Sequence, residues 1–202
     1  KKDPAARKEM MAAADLVVLC LPDDAAREAV ALADEIGDKA PRIVDASTAH
    51  RLADGWVYGF PELDQGQAAA IAAARRVANP GCFATALSLA LGPLAREGFS
   101  GAARVTAVTG SSGSGAQAGA RTHHPTREGS MSAYKALEHP HAAEVEDLPD
   151  RLAGGRRAFD VALVPVSGPL VRGIYAVCHV DAPGWTEARL RDLYRAAYYG
   201  CA

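Results

Sequence analysis

Cys82 lies in a setting that could make a thiol nucleophilic. It follows a Pro-Gly turn in the segment VANPGCFATAL, residues 77–87, and an apolar helical pattern begins directly after it. Pro80 fixes the turn, and Gly81 removes side-chain bulk beside the thiol. The unpaired N–H groups and the positive dipole end of a helix favour an anion, which here would be the reactive thiolate. Local sequence leaves two alternatives open, a covalent catalyst and an inert packing cysteine.

A second segment, LEHPHAAEVEDL at residues 137–148, groups two histidines with a carboxylate. Pro140 can open a helix, which puts His139 at the helix start and His141 in its first turn. Glu144 follows His141 by three residues and shares its helix face, where a carboxylate can orient the imidazole. This spacing predicts a general acid/base pair, and the alternative is a surface helix with ordinary polar residues.

A Gly/Ser-rich stretch, TGSSGSGAQAG at residues 109–119, is the third feature with chemical potential. Such a loop can approach a phosphate or a cofactor ring with its backbone N–H groups. It matches neither a Walker loop nor a GxGxxG turn, so alone it favours a plain flexible loop. His123 and His124 could be drawn into a zinc site with Cys82, but no standard ligand spacing supports a metal.

The elements that must position these residues alternate between helices and strands in the first part of the chain. The predicted order is helix 4–14, strand 15–21, helix 24–36, strand 42–47, helix 65–75 and strand 75–79. Runs of Val and Leu are typical of strands buried on both faces of a parallel sheet, and Cys20 within one of them is expected to be inert. Asp3 is expected to cap the first helix, and Asp23 or Asp24 the second. This rhythm predicts a Rossmann-like doubly wound sheet.

The character of the chain changes after Gly98. A helix with apolar residues around most of its circumference, near 83–98, should be buried. Alternating strands at 103–110, 159–166 and 173–182 predict a mixed or antiparallel sheet, with an inert Cys178 in the last of them. Thr186 is expected to cap a last helix that ends at Gly200.

We therefore expect an α/β protein with an incomplete Rossmann-like nucleotide-binding domain and an α+β catalytic domain. The predicted boundaries are 1–85 for the partial NADP-binding domain, 86–185 for the catalytic and oligomerisation domain, and 186–202 for a C-terminal helix returning towards the nucleotide domain.

Composition excludes several classes of protein. The chain has 202 residues, a net charge of −2 and 49% hydrophobic residues, which is enough for a packed core. Basic residues are scattered, which argues against nucleic-acid binding. No apolar stretch approaches the roughly 20 residues that cross a bilayer, so no membrane partner is expected. Separated cysteines and the lack of a signal-peptide pattern favour a cytoplasmic location.

Taken together, NPGCFAT and AYKALEHPHAAEVEDL resemble the N-acetyl-γ-glutamyl-phosphate reductases of arginine biosynthesis. That family carries an Asn-Pro-Gly-Cys motif and, downstream, a His-x-His-x-x-Glu motif. The segments DLVVLCLPDDAAREAV, DASTAHR, WVYGFPEL and LVRGIYA are similar to its segments in the same order, so the resemblance covers essentially the whole chain. The wider group, with aspartate-semialdehyde and glyceraldehyde-phosphate dehydrogenases, shares the two-domain plan.

The resemblance implies an oxidoreductase that acts on an acyl phosphate. The Cys82 thiolate would expel phosphate to form a thioester, and hydride from NADPH would lead to the semialdehyde. His141 is the first candidate for the proton carrier, with His139 and Glu144 supporting it or touching substrate. Arg172 is a candidate for pairing with a substrate carboxylate or phosphate, and a surface salt bridge is its alternative. A homo-oligomer, dimer or tetramer, is expected from the family and from the alternating strands.

The resemblance also implies where NADP(H) would be held. The implied cofactor-binding residues are Leu21, Pro22, Ser47, Gly113 and Gly115, and Ser112 is assigned to substrate. The chain begins after the family's Gly-rich cofactor turn, and its C-terminal portion is short by the same comparison. Ala116 stands where the family usually has Arg or Gln, and Gln117 follows one place later. We therefore expect weak NADP(H) binding and no measurable reductase activity from these 202 residues.

Two other readings remain open. Aspartyl or aminoadipyl phosphate could replace the acetylated glutamyl phosphate, and the His-x-His-x-x-Glu motif weighs against the first of these more than the second. The chain could also be a non-catalytic fragment that only folds or associates.

Overall fold

The computed structural model describes residues 3–115, 119–120, 123–152 and 159–199. The chain divides into two compact units, Lys1–Gly81 and Cys82–Ala202. Within the described ranges, one unit holds a parallel four-stranded sheet and the other a mixed four-stranded sheet. The α/β class predicted from the sequence, with a Rossmann-like sheet and a mixed sheet, is confirmed.

The first unit is built on strands that all run in one direction. Its elements are α1 (Pro4–Ala12), β1 (Leu16–Leu19), α2 (Asp23–Asp34), β2 (Arg42–Asp45), β3 (Val57–Tyr58), α3 (Gln67–Ala73) and β4 (Arg76–Ala78). The strand order is β1-β2-β4-β3. Leu19 pairs with Asp45, and Asp45 pairs with Ala78, so three strands end level with one another. The loops that follow them therefore leave from the same edge of the sheet, where α/β proteins bind ligands.

Two expectations for this unit are wrong. β1 is not buried on both faces, because Leu16 and Val18 are 53% and 58% exposed. Alternation puts these two side chains on the face opposite Leu19, which packs in the core beneath α1 and α2. The segment 48–64, expected to be only a loop, contains β3, which pairs in parallel with β4.

The first two helices of this unit are capped in different ways. Asp3 caps α1 as predicted, because its carboxylate accepts from the Ala5 N–H at 2.9 Å. Neither Asp23 nor Asp24 is the N-cap of α2; both lie inside its first turn, and Pro22 precedes it. The Asp23 carboxylate instead accepts from the hydroxyl and from the N–H of Thr48. Those bonds, chiefly the one from the hydroxyl, hold the pKa of Asp23 below its usual value.

The second unit packs helices on a sheet of three long strands and one short one. Its elements are α4 (Cys82–Arg96), β5 (Gly101–Thr109), α5 (His124–Arg127), β6 (Ser132–Ala133), α6 (Pro140–Leu152), β7 (Phe159–Ser167), β8 (Ile174–Val180) and α7 (Glu187–Tyr198). The sheet order is β6-β7-β5-β8. β5 runs parallel to β7 and antiparallel to β8, so the predicted alternation is correct while the purely antiparallel option is not.

α4 is the central helix of the second unit. From Phe83 to Ala95 no residue is exposed, as its apolar circumference predicted. Phe83, Leu87 and Leu91 form the core with alternate residues of β5 and β7 and with Val145 of α6. The α7 helix packs on the same helix, since the Tyr198 hydroxyl donates to the Leu89 carbonyl at 2.6 Å. Packing on several sides fixes the position of the first turn of α4.

The end of the chain follows its predicted start signal. Thr186 is the N-cap of α7, and its hydroxyl accepts from the Arg189 N–H at 3.3 Å. Such a cap contributes about 1 kcal/mol to helix stability. Gly200, expected to end this helix, lies outside the described residues, as do Ala116 and Gln117.

Candidate active site

Cys82 is the first residue of α4, and its side chain is exposed. The next residue, Phe83, is 2% exposed and anchors the helix in the core. A thiol at this position is accessible to a substrate while its backbone is held by buried neighbours. The positive end of the α4 dipole acts on it, as on any group at the start of a helix.

His141 contacts the same helical turn through one ring nitrogen. The Phe83 N–H donates to His141 Nδ1 at 3.3 Å, so the imidazole satisfies one of the unpaired donors at the start of α4. An Nδ1 that accepts must carry no proton, and the neutral ring therefore bears its proton on Nε2. His141 Nε2 lies 3.7 Å from Glu144 Oε1. The carboxylate is thus placed to orient the ring and to stabilise charge on it.

Two residues of the His-x-His-x-x-Glu motif are buried in the second unit, near the start of α4. His141 and Glu144 are 9% and 3% exposed, and both belong to α6 as the sequence predicted. The His141 N–H donates to His139 Nδ1 at 3.3 Å, so the first histidine also caps the start of α6. The ring centroids of the two histidines lie 4.5 Å apart, and both rings contact Phe83.

Tyr134 adds a hydroxyl that the sequence did not single out. Its ring centroid lies 6.0 Å from that of His139, with the rings nearly perpendicular. Burial raises the pKa of Tyr134, the charge of Cys82 raises it further, and the charge of Arg127 lowers it. Tyr134 is therefore protonated at neutral pH, and it lies within electrostatic reach of the candidate nucleophile.

The Gly/Ser loop lies against the segment that carries Arg172. The N–H groups of Ser111 and Ser112 donate to the carbonyls of Leu170 and Val171 at 2.8 and 3.0 Å. A side chain at Gly110 would place its Cβ 2.6 Å from the Arg172 nitrogen, so only glycine permits this approach. The structure thus brings together the two predicted substrate-binding residues, Ser112 and Arg172.

Arg127, on the short helix α5, is the other positive charge at this loop. It is 4% exposed, and its guanidinium donates to the Thr109 carbonyl at 2.7 Å and to Ser114 Oγ at 3.2 Å. Gly113 and Gly115, predicted to approach the cofactor, lie in the same loop, and Gly115 has a φ of 78° that favours glycine. No local sequence signal distinguished Arg127 from other arginines.

The remaining predicted cofactor residues belong to the first unit. Leu21 and Pro22 follow β1, Ser47 follows β2, and both strands end at the same sheet edge. Ser47 donates to the buried Asp45 carboxylate from its N–H at 2.9 Å and from its hydroxyl at 2.8 Å. His50 Nδ1 contacts the same carboxylate at 2.5 Å. Asp45 thereby fixes the turn that presents Ser47.

Arg51 ties that turn to the chain leading into Cys82. It is 8% exposed, and its guanidinium donates to the carbonyls of Asn79 and Ala46 at 3.1 and 3.3 Å. Asn79 stands three residues before Cys82, at the first position of the Asn-Pro-Gly-Cys motif. The Asn79 N–H also donates to the Asp45 carbonyl at 2.7 Å.

The other cysteines differ from their predicted settings in one case. Cys178 is half-buried on β8, and burial raises the pKa of its thiol, which disfavours the reactive thiolate. Cys20 is exposed, because β1 ends at Leu19, and the expectation of a buried thiol there is wrong. Among the described residues, no group of three or more His, Cys, Asp or Glu is placed to hold a metal ion.

A parallel sheet, a mixed sheet and an exposed thiol at the start of a buried helix define a two-unit α/β protein of the dehydrogenase class. Residues 82–202 match the family model described as semialdehyde dehydrogenase, dimerisation domain, and residues 2–71 match semialdehyde dehydrogenase, NAD binding domain. The chain belongs to the semialdehyde dehydrogenase family.

Relatives of known function share substantial identity with the chain. It is 37% identical over 184 residues to an N-acetyl-γ-glutamyl-phosphate reductase of Mesorhizobium japonicum, an alignment that covers 91% of this chain and 58% of the relative. It is 44% identical over 152 residues to N-acetyl-γ-glutamyl-phosphate reductase 2 of Pseudomonas putida, covering 72% and 48%. The family resemblance predicted from the motifs is confirmed. The chain spans about half the length of these two relatives.

Solved structures share the fold. An aspartate semialdehyde dehydrogenase from Francisella tularensis superposes with a TM-score of 0.72 at 12% identity, over 94% of this chain and 65% of that one. Aspartate semialdehyde dehydrogenase II from Vibrio cholerae gives 0.69 at 14% identity, over 91% and 60%. At these identities the likeness shows the fold alone.

Proposed function

We propose that this chain is part of an NADPH-dependent reductase that converts N-acetyl-L-glutamyl 5-phosphate to N-acetyl-L-glutamate 5-semialdehyde and phosphate. The observation that carries the proposal is the bond from the Phe83 N–H to His141 Nδ1. It brings the histidine of one motif to the helical turn that begins with the cysteine of the other. The names of the relatives supply the substrate.

Cys82 performs the covalent step. Its thiolate sulfur bonds to the acyl carbon, the bond from that carbon to the phosphate oxygen breaks, and inorganic phosphate leaves with the electron pair. The product is a thioester on Cys82. The nicotinamide cofactor, when bound, supplies a hydride to the thioester carbon. The resulting tetrahedral centre then collapses, the C–S bond breaks, and the semialdehyde is released with the thiolate restored.

His141 and Glu144 are proposed to stabilise the reacting acyl oxygen. The charge that develops on that oxygen needs a hydrogen-bond donor, and the Nε2–H of His141 can donate to it in the neutral tautomer that the Phe83 contact selects. Glu144 Oε1, 3.7 Å from that nitrogen, orients the ring. His139 and Tyr134 line the same region and are proposed to contact the substrate.

The residues present fit part of a dinucleotide site. In the first unit, Leu21, Pro22 and Ser47 stand on the carboxyl edge of parallel strands, and Leu21 is 38% exposed there. In the second unit, Gly113 and Gly115 lie in an exposed loop whose backbone can approach a cofactor ring. The first turn of α2 is a poor pyrophosphate site, because Asp23 and Asp24 make it negative. We propose Leu21, Pro22 and Ser47 as the cofactor-binding residues of the first unit, and Gly113 and Gly115 as those of the second.

Association and location complete the proposal. A semialdehyde dehydrogenase dimerisation domain matches the second unit, and we propose that a second copy packs on the open face of its sheet. No helix among the described residues has the length and apolarity to cross a membrane. We propose a cytoplasmic enzyme, as for other small-molecule reductases that depend on a free thiol.

The decisive experiment compares alkylation of the cysteines within one sample. Iodoacetamide is added at neutral pH, and the rate at each cysteine is read by peptide mass spectrometry. Cys20 is the matched control, because it is exposed like Cys82 but follows a strand instead of starting a helix. We expect Cys82 to react about ten-fold faster than Cys20.

Cys178 supplies the opposite control. Because burial raises the pKa of its thiol, Cys178 holds less thiolate at neutral pH, and its labelling should accelerate only as the pH becomes alkaline. A Cys82 that reacts no faster than Cys20 would favour the non-catalytic fragment. If Cys82 reacts fast, a phosphate-dependent NADP reduction assay with acetylglutamate and aspartate semialdehydes distinguishes the two substrates.

A further inference from the structure

Arg127 is a buried charge whose contacts are all neutral. Its side chain is 4% exposed, and its guanidinium donates to the Thr109 carbonyl and to the Ser114 hydroxyl. Its Nε–H is buried and has no acceptor within the described part of the chain. No ion pair joins Arg127 to a carboxylate in that part either. The sequence has no Asp or Glu at positions 116–118 and 121–122, which lie outside the residues that the structure describes.

A guanidinium in this state is costly to bury. Removing a cation from water costs several kcal/mol, and neutral acceptors offset only part of that cost. Buried arginines are therefore normally paired with carboxylate or phosphate oxygens, for which the guanidinium presents parallel donors. An oxyanion bound beside Arg127 would accept a hydrogen bond from the Nε–H and would balance the positive charge of the guanidinium.

Its position relates Arg127 to the candidate chemistry. The guanidinium contacts Thr109 and Ser114, which flank residues 110–113 in the first half of the Gly/Ser loop. The same loop carries Ser111, whose hydroxyl contacts His124 Nδ1 at 3.1 Å. The Tyr134 ring centroid lies 6.0 Å from that of His139, and the charges of Arg127 and Cys82 both act on the Tyr134 hydroxyl.

We propose that Arg127, with Ser114, binds an oxyanion of the acyl phosphate substrate while Cys82 reacts. The anion is either the phosphate or the distal carboxylate of the substrate, and both present the same oxygen pair to a guanidinium. Arg127 completes its donor set with this anion and neutralises its buried charge. This inference rests on the proposed function, since it assigns the ligand through the reaction of Cys82.

The exposed Arg172 has a different role in this scheme. It stands on the segment that pins the loop, but it is open to solvent, where an ion pair contributes little. A buried guanidinium distinguishes a carboxylate or a phosphate from chloride better than an exposed guanidinium does, because desolvation strengthens each hydrogen bond. Arg127 is thus the specificity-determining residue, and Arg172 the residue that attracts the anion from solution.

Protection of Cys82 from iodoacetamide tests the proposal. Inorganic phosphate and N-acetyl-L-glutamate are the two probes, each compared with sodium chloride at equal ionic strength. We expect at least one probe to slow alkylation of the wild-type chain, and Arg127→Met to raise its midpoint concentration about ten-fold or more. Protection by phosphate alone assigns the phosphate, and protection by acetylglutamate alone assigns the carboxylate. Arg195→Met, at a solvent-exposed position of α7, should behave as the wild type.

A second variant and a second measurement protect the test from misfolding. Arg127→Lys keeps the charge but cannot form paired donors, so its midpoint should also rise. Thermal stabilisation by each probe, which requires no thiol reaction, should fall in the same order. Equal midpoints in the wild type, Arg127→Lys and Arg127→Met would overturn the proposal, as would a wild type that neither probe protects or stabilises. Slow Cys82 alkylation without any anion would instead count against the proposed function.

Discussion

At the scale of single residues, the side chain that links the two motifs is His141, because each ring nitrogen has its own task. Nδ1 accepts from the Phe83 N–H at the start of α4, and Nε2 lies 3.7 Å from Glu144. The first contact caps the start of α4. The second orients the ring for the reaction proposed above. The two tasks can be separated, since an asparagine amide oxygen occupies the place of Nδ1 and a glutamine amide reaches the place of Nε2.

We expect His141→Asn to keep the cap on α4 and His141→Gln to lose it. Losing the acceptor leaves a buried N–H unsatisfied, which costs about 1–3 kcal/mol. The free energy of unfolding, from urea titration, should therefore fall by at least about 1 kcal/mol more for His141→Gln than for His141→Asn. His179→Asn, at an exposed position on β8, controls for loss of an imidazole. The reverse order of the two variants would contradict the assigned tautomer.

At the scale of elements, the candidate site residues lie where strands end and where helices start. β1, β2 and β4 end level, and the loop after β2 is fastened to the loop after β4 by Arg51. The other end of the same sheet has a similar fastening. The Arg42 guanidinium donates to the Ala74, Ile71 and Ala72 carbonyls, at 3.0, 3.2 and 2.6 Å, where α3 ends. These two arginines form a natural pair for comparison.

We expect Arg51→Met to change the reactivity of Cys82 and Arg42→Met to leave it unchanged. Arg51 restrains Asn79, three residues before the thiol, and without it the Pro-Gly turn should sample more conformations. The rate of Cys82 alkylation should fall several-fold, and unfolding stability by about 1 kcal/mol, since two backbone carbonyls lose a charged donor in a partly buried setting. Added guanidinium at millimolar concentration should restore part of the rate in Arg51→Ala. Equal alkylation rates in the Arg51 and Arg42 variants would show that Arg51 only stabilises the sheet.

How far the sequence predicts this architecture depends on whether a local pattern exists. The apolar circumference of α4 and the alternation in β5 are periodic, so burial of both could be predicted. Pro140 marked the start of α6 and thereby placed His141 beside Glu144. The exposed face of β1 could not be predicted, because burial of a strand depends on elements elsewhere in the chain.

Long-range contacts explain what the sequence did not predict at the site. Arg127 donates to the Thr109 carbonyl, 18 residues away in the sequence, and Arg51 donates to the Asn79 carbonyl, 28 residues away. Neither arginine has a neighbour in sequence that indicates a special environment. Tyr134 likewise gains its role from the fold, which brings its ring to His139. A hydrogen bond from a charged side chain to a backbone carbonyl far away in the sequence produces no periodic pattern, so the sequence does not predict it.

At the scale of the whole molecule, the open face of the second sheet is the surface that we propose for self-association. Tyr175, Val108 and Val166 lie side by side across three strands, and Val177, Thr106 and Val164 form the next row. Tyr175 is 67% exposed and Val177 is 37% exposed. Side chains directly opposite one another share a face of a sheet, so the two rows make one largely apolar patch. Patches of this kind mark protein interfaces.

We expect Val177→Asp to dissociate a homodimer formed through this patch. A carboxylate buried without a partner costs several kcal/mol, and an isologous dimer places two copies of it in the same interface. Sedimentation velocity at several concentrations should show the wild type as a dimer and Val177→Asp as a monomer, with the dissociation constant raised at least about 100-fold. Met10→Asp is the matched control, because Met10 is 75% exposed on α1 and lies in the first unit. A monomeric wild type, or a Val177→Asp variant that sediments as the wild type does, would move the interface to another surface, and the apolar rows would then need a different occupant.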